Sequence, residues 1–594
     1  MTDGGIKAVE AVEAGLAAEP VQNAAFETLT PTTSRTNLEE GPTLTANTEV
    51  DKLSNADSRD PEKGERAETP KQPVGNEATL LTGLRLYLVF LALMMGVFMF
   101  ALDQSIVATA IPVFTSEFNA FAEVSWTITA YFLTQCGLIL FVGQILTIFK
   151  AKHVLLVAFF FFELGSLIAG VAPSMNVLIV GRAIQGVGTS GMFSSMMLII
   201  VMITRVEQRA SFMASFGFIF VISSVVGPLL GGVFTEKVSW RWCFYINLPI
   251  GGLAAAAVVF LLPAHAPPEN EATRGKTIRQ KLIRVDWIGT LMILAIIVCL
   301  LLALSDGGNK YAWSNWRIIL EFVLGGVLII AFALWELRLD SRALIPKVIL
   351  KNRTEVSASI AVFMTMLAML GGVYQLPLFY EAVKNHSPTK AGIDIIPFML
   401  SICIAIFISG GATTATGRYW PWIIAGPPFA AAGYGLLSTI DPSTSSSKLI
   451  GYQILAGFGI GLSFQNILLS VQAEFHDRQH LLAQAVGTSN FFQLTGAAIG
   501  IGIVNTVQSV YLNKELRAKA PTVPFEIVRQ SVTAIYSPAV PVEARAGVID
   551  AYVTAITKSF IPIYIAVAIA FVASFFIRNH NLKEKGGAGA AVAA

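Results

Sequence analysis

Charge is scarce in this chain of 594 residues, where Asp, Glu, Lys and Arg together make up 13%. Soluble domains average roughly 25%. A soluble protein of this length would be several domains, each with a charged surface. With 54% hydrophobic residues and a mean hydropathy of +0.64, the composition excludes an ordinary cytosolic enzyme and demands many membrane spans. Cysteine is scarce too. The four cysteines, at 136, 243, 299 and 403, lie far apart in or beside apolar runs. No Cys-x-x-Cys or Cys/His spacing occurs, so they read as small apolar core residues and no metal or cofactor is expected. The phosphate loop Gly-x-x-x-x-Gly-Lys-[Ser/Thr] is missing, which disfavours direct ATP drive. Neither Gly-x-Ser-x-Gly nor His-Glu-x-x-His occurs, so an enzyme is not expected. No basic cluster is interleaved with aromatics, so nucleic acid is not an expected partner. The six histidines, at 153, 265, 386, 476, 480 and 580, read as solvated loop residues.

The charge that is present is unevenly placed. Residues 1–84 carry seven Lys/Arg against fifteen Asp/Glu, while the remainder carries 34 against 24. This acidic arm is rich in Thr, Glu, Asn, Ala and Pro and has no long apolar run. It cannot bury enough surface to offset its ordering entropy and is expected to be a disordered tail. It lacks the basic start, apolar core and cleavage site of a secretory signal.

A bilayer core takes about 20 apolar residues per helix. Apolar runs lie near 86–112, 125–148, 154–172, 176–203, 211–234, 242–262, 285–305, 317–336, 356–380, 391–410, 420–440, 449–472, 483–510 and 555–577. The expected fold is therefore all-α and membrane-embedded, with fourteen spans. The long connections are the linker 263–284 and the segment 511–554. Sixteen Lys/Arg fall on the side of the two termini and seven in the short opposite loops, which puts the termini, with the tail 578–594, in the cytoplasm. Asn385-His386-Ser387 in an outer loop is a glycosylation sequon. An internal repeat is also visible. Val180-Gly-Arg-Ala-Ile-Gln-Gly-Val-Gly188 in span 4 reads like Gly451-Tyr-Gln-Ile-Leu-Ala-Gly-Phe-Gly459 in span 12. Superposing their glycines puts Arg182 on Gln453. Two six-helix halves follow, at 85–262 and 337–577, with spans 7 and 8 (285–336) inserted between them.

Six ordered motifs carry a family resemblance. They are Leu102-Asp103-Gln-Ser-Ile106-Val107 through Pro112, Gly181-Arg182-Ala-Ile-Gln185-Gly186-Val-Gly188, and Gly227-Pro228-Leu-Leu-Gly231-Gly232. Then come Ser239-Trp240-Arg241-Trp242 through Asn247, Pro249, Gly251 and Gly252, next Leu376-Pro377 through Ser387-Pro388-Thr-Lys-Ala-Gly392, and finally Gly417-Arg418-Tyr419. Together they resemble the fourteen-span drug:proton antiporters of the major facilitator superfamily, especially fungal efflux pumps for toxins and drugs. The resemblance covers roughly 85–577 and implies the major facilitator fold. One motif departs. The superfamily's Gly-x-x-x-Asp-x-x-Gly-Arg-Lys between spans 2 and 3 is Gly143-Gln-Ile-Leu-Thr147-Ile-Phe-Lys150-Ala-Lys152 here. The acid that helps lock the inner gate is replaced by Thr147.

Charges at membrane depth cost about 2.5–3.5 kcal/mol on insertion scales, so they face a cavity or a partner. Asp103 in span 1, Glu163 in span 3 and Arg182 in span 4 are the proton-coupling candidates. Each has a structural alternative: Asp103 bonding a helix end, Arg182 a static pair, Glu163 facing the inserted helices. Gln185 shares a face with Arg182. Since Arg182 superposes on neutral Gln453, coupling is expected in the first half. Gly227, Pro228, Gly231 and Gly232, matching the antiporter motif, are expected to let another helix close on span 5 and seal the outer side. Gln135, Tyr374, Gln375, Gln465, Asn466, Asn490, Gln493 and Asn505 are polar groups within apolar spans, expected to line the substrate cavity or to tie helices. The expected function is proton-driven export of small, largely apolar organic molecules such as drugs or secondary-metabolite toxins. The expected partners are substrate, protons and the lipid bilayer, with a monomeric protein at the plasma membrane or, alternatively, the vacuolar one. The rivals are a siderophore or amino-acid carrier working in uptake or vacuolar loading, and a non-transporting membrane receptor.

Overall fold

The computed structural model describes residues 81–118, 123–267, 275–307, 311–339, 342–523, 528, 532–538 and 540–586. The acidic arm 1–80, residues 268–274 of the linker and residues 587–594 of the C-terminal tail lie outside the described residues. Among the described residues the architecture is all helical, with one isolated bridge between Gly307 and Tyr311.

A long helix occupies each expected apolar run. In chain order they are α1 (Gly83–Phe118), α2 (Val124–Ile145), α3 (Ala151–Gly170), α4 (Met175–Ile203), α5 (Val206–Lys237), α6 (Asn247–Leu261) and α7 (Trp287–Asp306). Then follow α8 (Trp316–Leu339), α9 (Arg353–Ala382), α10 (Ile396–Thr416), α11 (Trp420–Leu437), α12 (Ser446–Glu474), α13 (Gln479–Lys519) and α14 (Val542–Ser574). Among the described residues, twelve helical segments are long and apolar enough to cross a membrane. Helix α11 holds Pro427 and Pro428 in its interior.

Side-chain caps fix several starts. Asn352 Oδ1 accepts from the amides of Thr354 and Glu355 at 2.9 and 3.2 Å before α9. Asp286 Oδ1 accepts from Gly289 N at 2.8 Å before α7. Gly417, at φ 75°, ends α10 in the left-handed conformation that a side chain disfavours.

The segment 511–554 differs from expectation. Helix α13 runs on to Lys519 and α14 begins at Val542. Lys519 bridges Glu515 and Asp550 at 2.8 Å each. Leu512, Leu516, Val548 and Tyr552 are buried in the apolar core of the second half. The apolar run ends where Lys514 and Glu515 appear, but the helix continues because one face still packs. Two histidines also differ from expectation: His386 pairs with Asp394 at 2.5 Å and His580 with Glu474 at 2.6 Å. All four cysteines are free and buried.

Helix α4 packs on α2 and α3, and α12 packs on α10 and α11. The glycines show why. A Cβ on Gly186 would strike Thr134 and the Tyr131 carbonyl of α2, and one on Gly457 would strike Ser401 and the Phe398 carbonyl of α10. A Cβ on Gly188 would strike the Phe162 backbone of α3, and one on Gly459 the Ala430 backbone of α11. Backbones this close admit only glycine. The same register repeats elsewhere: Gly165 faces Gln185 N as Gly433 faces Ala456 N.

The halves meet through α2 with α13 and α5 with α10. Gly143 lies against Ala483 and Gly487, Gly217 against Ile406, and Gly410 against Ala210 and Ala214. These contacts sit toward the starts of α5 and α13, on the face where α1 begins and α14 ends, called here the termini face. Helix α7 packs on α2 and α13, while α8 packs on α7 and exposes Leu320, Val323, Val327, Ile330 and Leu334.

Candidate functional site

Three of the expected residues come together. Arg182 Nη1 of α4 donates to Asp103 Oδ2 of α1 at 2.6 Å and to Gln185 Oε1 at 2.8 Å, and its Nε donates to the Thr127 carbonyl at 3.2 Å. Gln185 Nε2 donates to Asp103 Oδ1 at 3.0 Å and to Ser166 Oγ of α3 at 2.7 Å. Asn247, at the start of α6, donates to Asp103 Oδ1 at 3.2 Å and to Ser166 Oγ at 3.1 Å. The guanidinium carbon lies 4.4 Å from the centre of the Tyr131 ring, and Tyr131 Oη pairs with Thr189 Oγ1 at 2.9 Å. Asp103 is 0% and Arg182 3% exposed. Both charges are thus neutralised by partners, as burial requires. Removing one partner of such a pair costs about 3–5 kcal/mol.

Glu163 lies beside this cluster. Its carboxylate fills the space next to Gly251 of α6, near Met99 of α1, and both its oxygens are buried without a hydrogen-bond partner. It faces helices of its own half rather than the inserted pair. It is close enough to Asp103 for the two charges to interact. Sequence reading quoted Gln185 and Asn247 within motifs but missed Tyr131, Ser166 and Thr189. A Tyr, Ser or Thr in an apolar run carries no signal until its neighbours are known.

The antiporter-motif residues divide. A Cβ on Gly227 would strike Ser105 of α1 and one on Gly231 would strike Thr109 and the Ile106 carbonyl, so both serve the close packing of α5 on α1. Ser105 Oγ donates to the Ser223 carbonyl at 2.8 Å across that contact. Gly232 meets open space, and Pro228 is exposed. The helix against these glycines therefore belongs to the same half; the α5 glycine that meets the other half is Gly217.

The expected lining residues divide as well. Gln135 Oε1 of α2, Gln465 Nε2 of α12, and Asn490 Nδ2 and Gln493 Oε1 of α13 are buried with no protein partner. Ser194 and Ser195 of α4 and Gln472 of α12, which the sequence did not single out, behave the same way. These atoms mark a polar seam between the halves, and a narrow crevice of about 10 Å³, room for a single water, opens on it beside Met197, Gln472, Ser489 and Asn490. Gln375 is half satisfied, donating to Gln508 Oε1 at 3.1 Å. Asn466 uses both its groups, accepting from Thr413 Oγ1 at 3.0 Å and donating to the Leu462 carbonyl at 2.9 Å, so it ties α12 to α10. Tyr374 and Asn505 are exposed. Glu355 of α9 was also missed. It is 1% exposed and accepts from Ser489 Oγ at 3.0 Å.

The loop between α2 and α3 has no charge lock. Thr147 Oγ1 bonds its own helix at Gln144 O, 2.7 Å away, and Lys152 Nζ donates to the Val259 and Leu262 carbonyls at 2.7 Å each, capping α6.

The family model for the Major Facilitator Superfamily matches residues 93–501. The chain belongs to that superfamily. Among relatives, the MFS-type transporter phomT of Diaporthe leptostromiformis is 42% identical over 453 residues, covering 76% of this chain and 75% of that one. The efflux pump aflT of Aspergillus parasiticus is 38% identical over 498 residues, covering 82% and 96%. The efflux pump roqT of Penicillium rubens is 39% identical over 480 residues, covering 81% and 87%. The crystal structure of the human organic anion transporter MFSD10 superposes with a TM-score of 0.52 at 13% identity, covering 84% of this chain and all of that one. It shares the fold. The chain is thus a multi-pass membrane protein of the facilitator type, and the buried ion pair sits in the first half of that fold.

Proposed function

We propose that this protein is a proton-coupled exporter of small, largely apolar organic molecules, in the class of drugs and secondary-metabolite toxins. The observation that carries the reading is the Asp103–Arg182 pair, buried at membrane depth beside the unpartnered carboxyl of Glu163. A carboxylate held by a permanent cation can exchange that cation for a proton, and a second carboxyl nearby offers the proton a place to wait. Substrate would occupy the seam between the halves, where apolar walls carry a few unsatisfied amides. Relatives that are named efflux pumps, at 38–39% identity, support the direction.

In this reading the halves are 85–262 and 337–577, the inserted pair is 285–336, and all fourteen long helices span. The termini face is cytoplasmic, so the tails 1–84 and 578–594 and the linker 263–284 lie inside, and the protein works as a monomer in the plasma membrane. The halves rock about the seam by alternating access. The test is export by cells carrying the protein, against null cells, for a panel of apolar toxins with and without a proton uncoupler. Export that the uncoupler abolishes is expected. Accumulation would make the protein an uptake carrier, and no movement of any compound would remove the transport reading.

A further inference from the structure

The gate on the termini face lacks the charge lock that its α2–α3 loop would supply, yet α2 and α13 meet there at Gly143 and Gly487. What holds them comes from the inserted hairpin. The short stretch after α8, residues 342–345, runs across the junction of the two helices. Gln144 of α2 donates through Nε2 to the Arg342 carbonyl at 2.8 Å, and Gln484 of α13 donates through Nε2 to the next carbonyl, that of Ala343, at 3.2 Å. Two adjacent carbonyls are thus held by opposite halves. Parting α2 from α13 at this end must break one of those bonds.

The stretch is itself anchored to the hairpin. Glu336 near the end of α8 accepts from Leu344 N at 3.3 Å and Ile345 N at 3.0 Å. Ala343, Leu344 and Ile345 are 0%, 1% and 5% exposed. At the start of α7, Asp286 N donates to the same Gln144 through its Oε1 at 3.0 Å, and Asp286 Oδ1 accepts from Trp335 Nε1 of α8 at 3.0 Å. The Gln144 amide is therefore used at both ends, once by each side of the hairpin. Such buried, fully engaged amides are costly to release without new partners.

We propose that residues 342–345 form a strap, carried by the inserted helices, that locks the termini-side gate, with Gln144 and Gln484 as its positioning residues. The strap takes the place of the missing acid at Thr147. It gives the α7–α8 pair a task in the transport cycle: Glu336 of α8 and the Asp286 amide before α7 anchor the strap and Gln144, at the point where α2 and α13 meet. The proposal rests on the alternating-access reading but is tested by a measurement that needs no substrate.

Met197 of α4 is 4% exposed and lies behind this gate beside Gln472 and Ser489. A Met197→Cys probe in inside-out membrane vesicles should react slowly with an impermeant maleimide added to the termini face, against a background measured without the probe. Adding Gln144→Leu or Gln484→Leu should raise the labelling rate roughly fivefold each, and the pair roughly twentyfold. The Asn variants keep the amide on a shorter stem and should fall between; they also serve if the Leu variants fail to insert. Thr147→Ala, in the same loop but outside the strap, should leave the rate unchanged. Unchanged labelling in the strap variants, or an equal rise with Thr147→Ala, would overturn the proposal. Faster labelling in vesicles that export nothing would support the strap and remove only the transport reading.

Discussion

The two halves of this protein solve the same packing problem with opposite chemistry. In the first, Arg182 reaches across to Asp103 on α1. In the second, Gln453 occupies the matching place and donates to Tyr380 Oη on α9 at 2.8 Å. The register set by Gly188 on Phe162 and Gly459 on Ala430 places Glu163 opposite Ala431. Gln185 likewise falls opposite Ala456, and Tyr131 opposite Phe398. Arg182, Glu163, Gln185 and Tyr131 thus have neutral or apolar counterparts in the second half. At this place the first half uses a charged tie and the second a neutral one. The glycines show the converse. Gly227 and Gly231 of α5 pack on α1, and Gly496 and Gly500 of α13 pack on Phe363 and Leu367 of α9. Close approach belongs to both halves, while Pro228 distinguishes the first.

The sharpest way to break this comparison is to unpair the charges. Arg182→Ala should lower export by about a hundredfold or more, from the loss of a buried partner, with the protein still reaching the membrane. Arg182→Lys should rescue poorly because it lacks the planar fork. Gln453→Ala should cost only about fivefold, the worth of one neutral hydrogen bond. Export rates per inserted molecule, measured side by side, decide it; equal losses would mean that the tie matters and the charge does not.

Glu163→Gln comes next. If this carboxyl carries the proton, export should fall by about tenfold and its dependence on external pH should flatten, as expected for loss of a general proton carrier. A normal pH profile would confine the exchange to Asp103. The glycine pair is a subtler comparison. Gly227→Leu and Gly500→Leu each put a side chain where backbones meet, at about 1–3 kcal/mol of overpacking. If the α5 cluster has a role in antiport, Gly227→Leu alone should lose export and leak protons in reconstituted vesicles, while Gly500→Leu lowers only thermal stability. Matching phenotypes would reduce the motif to packing.

The smallest effect is expected at the outer end of the first half. Glu117 accepts from Trp240 Nε1 at 2.5 Å and Arg241 Nη2 at 3.0 Å. The Trp240 bond, with Arg241 behind it, holds its carboxyl below the usual carboxylate range. A lowered folded pKa means that the stabilisation is present above the ordinary carboxylate range and lost as pH falls through the folded value. The carboxylate is 42% exposed, so screening limits it to about 0.5 kcal/mol. Glu117→Gln should shift the melting temperature slightly at pH 7, and the shift should vanish once the pH falls below the lowered folded pKa.

Much of this was legible in advance. Long apolar runs announce helices because a bilayer leaves backbone groups no other partner. The Arg182–Asp103 pairing was half legible: both residues were too costly to stand alone at depth, but nothing in one dimension says that they meet. Asn466 and Gln493 look alike in sequence, each an amide in an apolar run, yet one ties two helices and the other lies unpaired in the seam.

The sequence by itself determined the helices, the membrane class and the glycine spacing that recurs in α4 and α12, because hydropathy and glycine spacing are local. Only the tertiary structure decided which amides are satisfied, that Gly232 and Pro228 face outward while Gly227 and Gly231 meet α1, and that the Arg342 and Ala343 carbonyls accept from Gln144 of α2 and Gln484 of α13. Those outcomes depend on which backbones come within hydrogen-bonding reach after residues as much as 198 positions apart, such as Gln144 and Arg342, are brought together.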